Sequence, residues 1–303
     1  GENRSSLPEG YSVFDAEGRV VLPGFIDSHT HLVFGGYRPE EFIWRMKGDS
    51  YMSIMERGGG IINTVRATRE TSLDDLKAKA EWYIDVMSRM GITTVEGKSG
   101  YGLDKETELK QLEVMKAINE DPNRKVDIST TFLGAHAVPT EYKGREDAYI
   151  DFLIDEMLPL VKEKGLAEHC DIFCEKGVFT VEQSRRLLQA AKERGFGVKI
   201  HADEIVSFGG AELAGELQAL SADHLLHASD TGIQAMAENH VVATLLPLTA
   251  FTLREPYARG REMIDRGCAV ALATDLNPGS CCSGSIPLTF ALACIYMNLS
   301  VEE

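Results

Sequence analysis

The chain has 303 residues, enough for one large α/β barrel or two smaller domains, and its 44% hydrophobic content can fill a substantial core. Lys and Arg number 31 against 47 Asp and Glu, a formal charge of -16, which argues against a phosphate backbone or an anionic membrane as partner and for a small-molecule ligand. No apolar stretch is long enough to span a bilayer, residues 1 to 20 lack a secretory pattern and the six cysteines make no disulfide framework, so reduced thiols and a cytoplasmic location are expected.

Eight apolar, β-branched runs recur along the chain. The first is "RVVLPGFID" at residues 19–27. After it, "ERGGGI" puts Gly58, Gly59 and Gly60 in a turn that can be a plain loop or a mobile cover. In residues 71–90, Leu76, Ala80, Tyr83, Met87 and Met90 follow helical spacing, and Ser72 with Asp75 resembles a capping box. Strand-like "GITTVEGKSG" (91–100) follows, then a helical stretch over 104–121 and the strand-like "KVDISTTFLGAH" (125–136). A helix is expected over 149–165, a strand in "HCDIFCEKG" (169–177), and a helix over 180–195 opened by Thr180 with Gln183 and closed by Gly195. The remaining runs are "GVKIHADE" (197–204), "SADHLLH" (221–227), "HVVATLLPLT" (240–249) and "CAVALATDLNP" (268–278). His169, Cys170 and Cys174 invite a zinc assignment, but their alternation is that of a buried strand, and free Cys is a common core residue.

Eight strands alternating with helices favour a parallel (β/α)8 TIM-type barrel over an open doubly wound sheet. A barrel demands that its active groups sit at the C-terminal ends of its strands. His29 and His31 end the first run, Lys98 to Tyr101 the second, His136 the third, His201 and Glu204 the fifth, His224 the sixth, and Asp275 with Asn277 the eighth. Five of the eight histidines thus sort to one face. Residues i and i+2 of a strand point the same way, so His29 and His31 converge. Zn²⁺ in hydrolytic sites takes three or four N and O ligands and lowers the pKa of a water toward about 7. His29, His31, His201 and Asp275 supply such a set, and Asp275 can also accept the water's proton. His169, His227 and His240 are assigned no role.

"PGFIDSHTH" on a first strand, a lone His on the fifth and "TD" on the eighth resemble the amidohydrolase superfamily of metal-dependent hydrolases. Within it, "SHTHLVFGGYRPEEF", "GGGI", "VEGKSGYGLD", "TTFLGAHAVP", "DIFCEKGVF", "HADE" and "TDLNPGS" are similar to the imidazolonepropionase family, from about residue 20 to the end.

The resemblance implies hydrolysis of 4-imidazolone-5-propionate to N-formimidoyl-L-glutamate in histidine degradation. It implies Arg38, Tyr101, His136, Glu204, Asn277, Gly279 and Ser280 as substrate-binding residues, with Arg38 able to fork the propionate. Glu204, His224 and Asp275 are the implied catalytic groups: Asp275 helps activate a water, His224 polarises the carbonyl and Glu204 protonates the departing ring nitrogen. Lys98 and Lys176 read as ordinary ion-paired lysines, so one metal is expected, Zn²⁺ first and Fe³⁺ as the alternative. The family also carries a small β-sandwich and forms homodimers. Residues 1–19 are therefore expected to be a remnant of the sandwich leading into the first strand, the rest of it missing, and 20–303 a barrel cut near its last helix. A nucleobase deaminase or another cyclic-amide hydrolase would share the metal set, and an inactive barrel scaffold is the remaining alternative; Arg38, Tyr101 and His136 speak for an acidic substrate.

Overall fold

The computed structural model describes residue 10 and residues 12–49, 53–54 and 57–303. β1 covers Phe25–Thr30 and is followed by α1 (Pro39–Met46), α2 (Ile61–Glu70) and α3 (Leu73–Ser88). Then come β2 (Ile92–Lys98), α4 (Lys105–Asn119), β3 (Asp127–Ala135), α5 (Glu146–Phe152), α6 (Leu158–Glu163), β4 (His169–Cys174), α7 (Val181–Glu193) and β5 (Gly197–Ala202). The last part runs α8 (Gly210–Leu217), β6 (Ser221–His224), α9 (Asp230–Glu238), β7 (Val242–Leu245), α10 (Pro247–Leu253), α11 (Gly260–Asp265), β8 (Val270–Leu272) and α12 (Ile286–Met297).

The eight strands are parallel and stand in chain order, each paired with the next. The ring closes where the segment after β8 meets β1: Asp275 N donates to His29 O at 3.0 Å and His31 N to Leu276 O at 2.8 Å. Beneath that seam the Asp27 carboxylate accepts from both Thr274 N and Thr274 Oγ1. This is the TIM-type barrel the alternation implied.

The alternating side-chain period assigns the two strand faces. In β4, Cys170, Ile172 and Cys174 are fully buried in the layer between strands and helices, while Asp171 and Phe173 face the barrel axis. The six cysteines are free thiols. Local caps fix the helices as expected: Ser72 Oγ accepts from Asp75 N, and Thr180 with Gln183 forms a complete capping box. No helix among the described residues is long and apolar enough to cross a membrane.

Several elements depart from the sequence reading. The first strand starts at Phe25, not Arg19, because Pro23 cannot donate to a ladder, and Val20 and Val21 stand 82% and 77% exposed. The remnant expected over residues 1–19 lies partly outside the described residues; those of it that are described form turns and irregular backbone. The helix expected over 149–165 starts at Glu146 and widens into a π turn at Leu153–Met157, next to Pro159, whose ring lacks an N–H. Gly60 is held at the start of α2, its N–H donating to Glu41 Oε1 at 2.7 Å, so this end of the glycine turn is tied down. Lys176 is exposed and forms no salt bridge among the described residues, unlike the ion-paired Lys98.

Candidate active site

The C-terminal ends of β1, β3, β5 and β6 bring five imidazoles together. Ring centroids lie 5.2 Å apart for His29 and His31, 4.6 Å for His29 and His201, and 5.2 Å for His201 and His224. His136 stacks on His31 at 4.7 Å. Asp275 Oδ1 stands 3.5 Å from Nε2 of both His29 and His31, while its Oδ2 accepts from Thr249 Oγ1 at 2.8 Å. Burial holds His29, His31 and His224 well below the ordinary histidine pKa and takes His136 down to about 3, so their rings are neutral lone-pair donors. Burial also raises Asp275 to about 6.

Under these rings lies a set of charged side chains that the sequence reading did not assign. His29 Nδ1 meets Asp223 Oδ2 at 2.7 Å, and His201 Nδ1 lies 2.9 Å from Asp171 Oδ2. Asp171 and Asp223 remain ionised despite burial, because the cationic neighbours around them outweigh desolvation and hold both below the usual carboxylate range. The signal that could have found them is a carboxylate inside an apolar parallel strand, "HCDIFC" and "SADH". Asp223 and His224 are adjacent yet both serve the interior, and His224 takes a left-handed φ of 76° to do so. Asp203 (φ 51°) and Asp275 (φ 54°) end β5 and close the eighth strand segment in the same sparsely populated conformation, so backbone strain gathers around the site.

The cavity above the rings is lined by Arg38, Tyr101, His136, Glu204, Asn277 and Ser280, among others. Arg38 is buried and lies 3.6 Å from Glu41, with Gly279 directly against its guanidinium. Asn277 Oδ1 accepts from Gly279 N, Ser280 N and Ser280 Oγ, which folds that loop over the mouth. Glu204 Oε1 is 3.6 Å from His224 Nδ1, and burial first, then the Asp275 charge, raises its carboxyl well above the ordinary range. All the residues expected in the site therefore meet at one end of the barrel.

Whether these residues suit a metal can be judged from their own unmet needs. His29 Nε2, His31 Nδ1, both ring nitrogens of His201 and Nδ1 of His224 are buried without hydrogen-bond partners, a costly state for aromatic nitrogens that a cation would relieve on the side facing it. Ligand atoms of His29, His31 and Asp275 fall within 4.8 Å of one another, as do those of His29, His201 and His224, and those of His31, His136 and His201. His201 and Asp275 share no such triad; they connect through His29 and His31. Neutral imidazoles and a carboxylate at the mouth of a parallel barrel, oriented by buried acids, fit a divalent cation.

Fold and site together define a metal-dependent hydrolase barrel of the amidohydrolase superfamily. A sequence profile described as "Amidohydrolase family" matches residues 12–60. Solved structures of the same fold include 5-methylcytosine deaminase from Klebsiella pneumoniae (TM-score 0.72, 15% identity, 97% of this chain and 75% of that one) and guanine deaminase from C. acetobutylicum (0.68, 16%, 95% and 70%). Much nearer in sequence are the imidazolonepropionases of Phocaeicola vulgatus, 79% identical, and Bacteroides thetaiotaomicron, 71% identical, each aligned over 100% of this chain and 73% of its own length. The chain belongs to the imidazolonepropionase family.

Proposed function

We propose that the chain hydrolyses the ring amide of 4-imidazolone-5-propionate, giving N-formimidoyl-L-glutamate in histidine degradation. The observation that carries this reading is the pairing of a neutral His and Asp cluster with a buried arginine at the same cavity, a hydrolytic centre beside an anion fork. His29, His31, His201 and Asp275 would hold one metal ion, zinc or alternatively iron. Bound there, such an ion polarises a carbonyl and makes water nucleophilic near neutral pH.

The chain's own groups supply the remaining steps. Arg38 pairs with the propionate, and Tyr101 and His136 fix its tail and the ring. Asn277, Gly279 and Ser280 shape the loop against which the substrate lies. Asp275, raised to about 6 and steadied by Thr249, takes the proton of the attacking water. His224 donates to the carbonyl oxygen as charge builds on it. Glu204, protonated in its buried setting, hands a proton to the ring nitrogen as the C–N bond opens. We further propose a cytoplasmic homodimer, on the family resemblance; sedimentation velocity of the purified protein reads the oligomer.

The test is an ultraviolet assay of imidazolone loss on purified protein with metal analysis alongside. Turnover should disappear with a chelator, return with Zn²⁺ or iron, and be abolished in Asp275→Asn and His201→Ala. A chelated protein that still turns over at the full rate would refute the metal site, and wild-type protein loaded with metal but inert toward the imidazolone would refute the substrate.

A further inference from the structure

TIM-type barrels ordinarily fill their interior with layers of branched apolar side chains. Here the layer below the histidines is ionic instead. Lys98, fully buried on β2, sends its Nζ into the interior to Asp171 Oδ2 of β4 at 2.7 Å and Asp223 Oδ2 of β6 at 3.4 Å, and meets Glu96 Oε1 of its own strand at 2.8 Å. We propose that Lys98 is a positioning residue: it grips at once the two carboxylates against which His29 and His201 lean, and so sets both imidazoles for the metal before the metal arrives.

The contacts form one continuous chain. His29 Nδ1 is hydrogen-bonded to Asp223 Oδ2, the same oxygen that faces Lys98, and His201 Nδ1 lies 2.9 Å from Asp171 Oδ2, again the oxygen bonded to Lys98, at ion-pair distance but outside hydrogen-bond alignment. The second oxygens are held separately, Asp171 Oδ1 by Ile172 N at 2.7 Å and Asp223 Oδ1 by Ser221 Oγ at 2.6 Å. Neither carboxylate can turn without breaking a bond on each side. Lys199 approaches Glu96 Oε2 closely and Asp223 only at 3.8 Å, and forms no ion pair with Asp171 among the described residues, so it neutralises the floor without joining the two histidine supports. Glu96, Asp171 and Asp223 stand against Lys98 and Lys199, leaving one net negative charge. Burial opposes a charged lysine, yet the three carboxylates more than offset it and raise the Lys98 pKa above its ordinary value. The ligand atoms of His29, Glu96 and Asp223 also lie within 4.8 Å of one another, but the two ammonium groups already serve those acids, which accords with a single metal above the floor.

This inference rests on the metal-site reading, and its test separates the two. The variant is Lys98→Met combined with Glu96→Gln, which removes the tie together with one charge of each sign, so the net charge of the floor is unchanged; the Glu96 carboxylate bonds Lys98, Thr131 and Lys199 and, among the described residues, neither histidine. Partners that orient metal-binding histidines typically contribute 10- to 100-fold in metal affinity. Zn²⁺ affinity measured against a competing chelator should therefore weaken by roughly 30- to 100-fold in the double variant. In the metal-free wild type, a slowly exchanging, downfield imidazole Nδ1–H resonance, assigned by its loss in His29→Gln, should be present, and it should vanish in the double variant. A folded double variant whose Zn²⁺ affinity stays within threefold overturns the proposal. If that variant does not fold, the wild-type resonance decides: its presence without metal supports preset histidines, and its absence overturns them. Wild-type protein that binds no Zn²⁺ defeats the metal site itself, a separate outcome.

Discussion

Gly279 carries a constraint that its lack of a side chain explains. A Cβ built there would stand 1.8 Å from Arg38 Nη2 and 2.0 Å from its Cζ, and Arg45 Nη2 donates to Gly279 O at 2.7 Å, so the loop cannot easily back away. The guanidinium is the free end of a long side chain and will yield before the backbone does. Gly279→Ala should thus leave the protein folded, with a melting temperature close to wild type, but displace Arg38 and raise KM for the imidazolone substrate at least tenfold with a smaller change in kcat. Steady-state kinetics on the folded variant checks this, and a KM within threefold of wild type would remove Arg38 as the propionate partner. The histidines of the site were legible at this scale because strand ends can be counted. Asp171 and Asp223 were not: period-two alternation says which face a residue takes, but in a closed barrel the groups opposite come from strands far away in sequence. His224 adds a second obstacle, since its left-handed φ places it beside Asp223 against the alternation, and backbone strain leaves no mark on sequence pattern.

At the scale of elements, the helices that announced themselves carry their own caps, as Ser72 does for α3 and Thr180 for α7. The turn that presents Tyr101 is organised differently, by a carboxylate reaching back from the first turn of α4. Glu108 Oε1 accepts from Gly102 N at 2.8 Å, Leu103 N at 2.9 Å and Gly100 N at 3.1 Å, while Gln111 Oε1 takes Tyr101 N. Nothing in "DKETELKQLE" distinguishes that glutamate from its solvated neighbours, because its role depends on the βα loop folding over it. Removing it strands three buried donors, so Glu108→Ala should cost roughly 3 kcal/mol of unfolding free energy and raise KM by loosening Tyr101. Urea unfolding of the metal-free variant measures the first effect; a loss below about 1 kcal/mol would mean that the loop holds itself.

For the whole molecule, the decisive geometry is that β1 and the segment after β8 meet only because the sheet closes, which brings His29 and His31 against Asp275 while β5 delivers His201 from across the barrel. An ion held by those residues would join strands whose positions in the chain are some of the farthest apart, and it would bind the folded barrel far better than the unfolded chain. Mass action then fixes the sign and size of the effect: at about 100 times its Kd, Zn²⁺ should stabilise the fold by about 2.7 kcal/mol, less whatever affinity the unfolded chain retains. For a chain of this size that corresponds to a rise in melting temperature of roughly 5 °C. The rise should be absent in His201→Ala, which removes the β5 ligand, and should survive in Arg38→Ala, which lies at the mouth. Calorimetric scans of chelated and Zn²⁺-loaded protein make the comparison directly. Equal midpoints with and without metal in the wild type would mean that no ion ties these strands together.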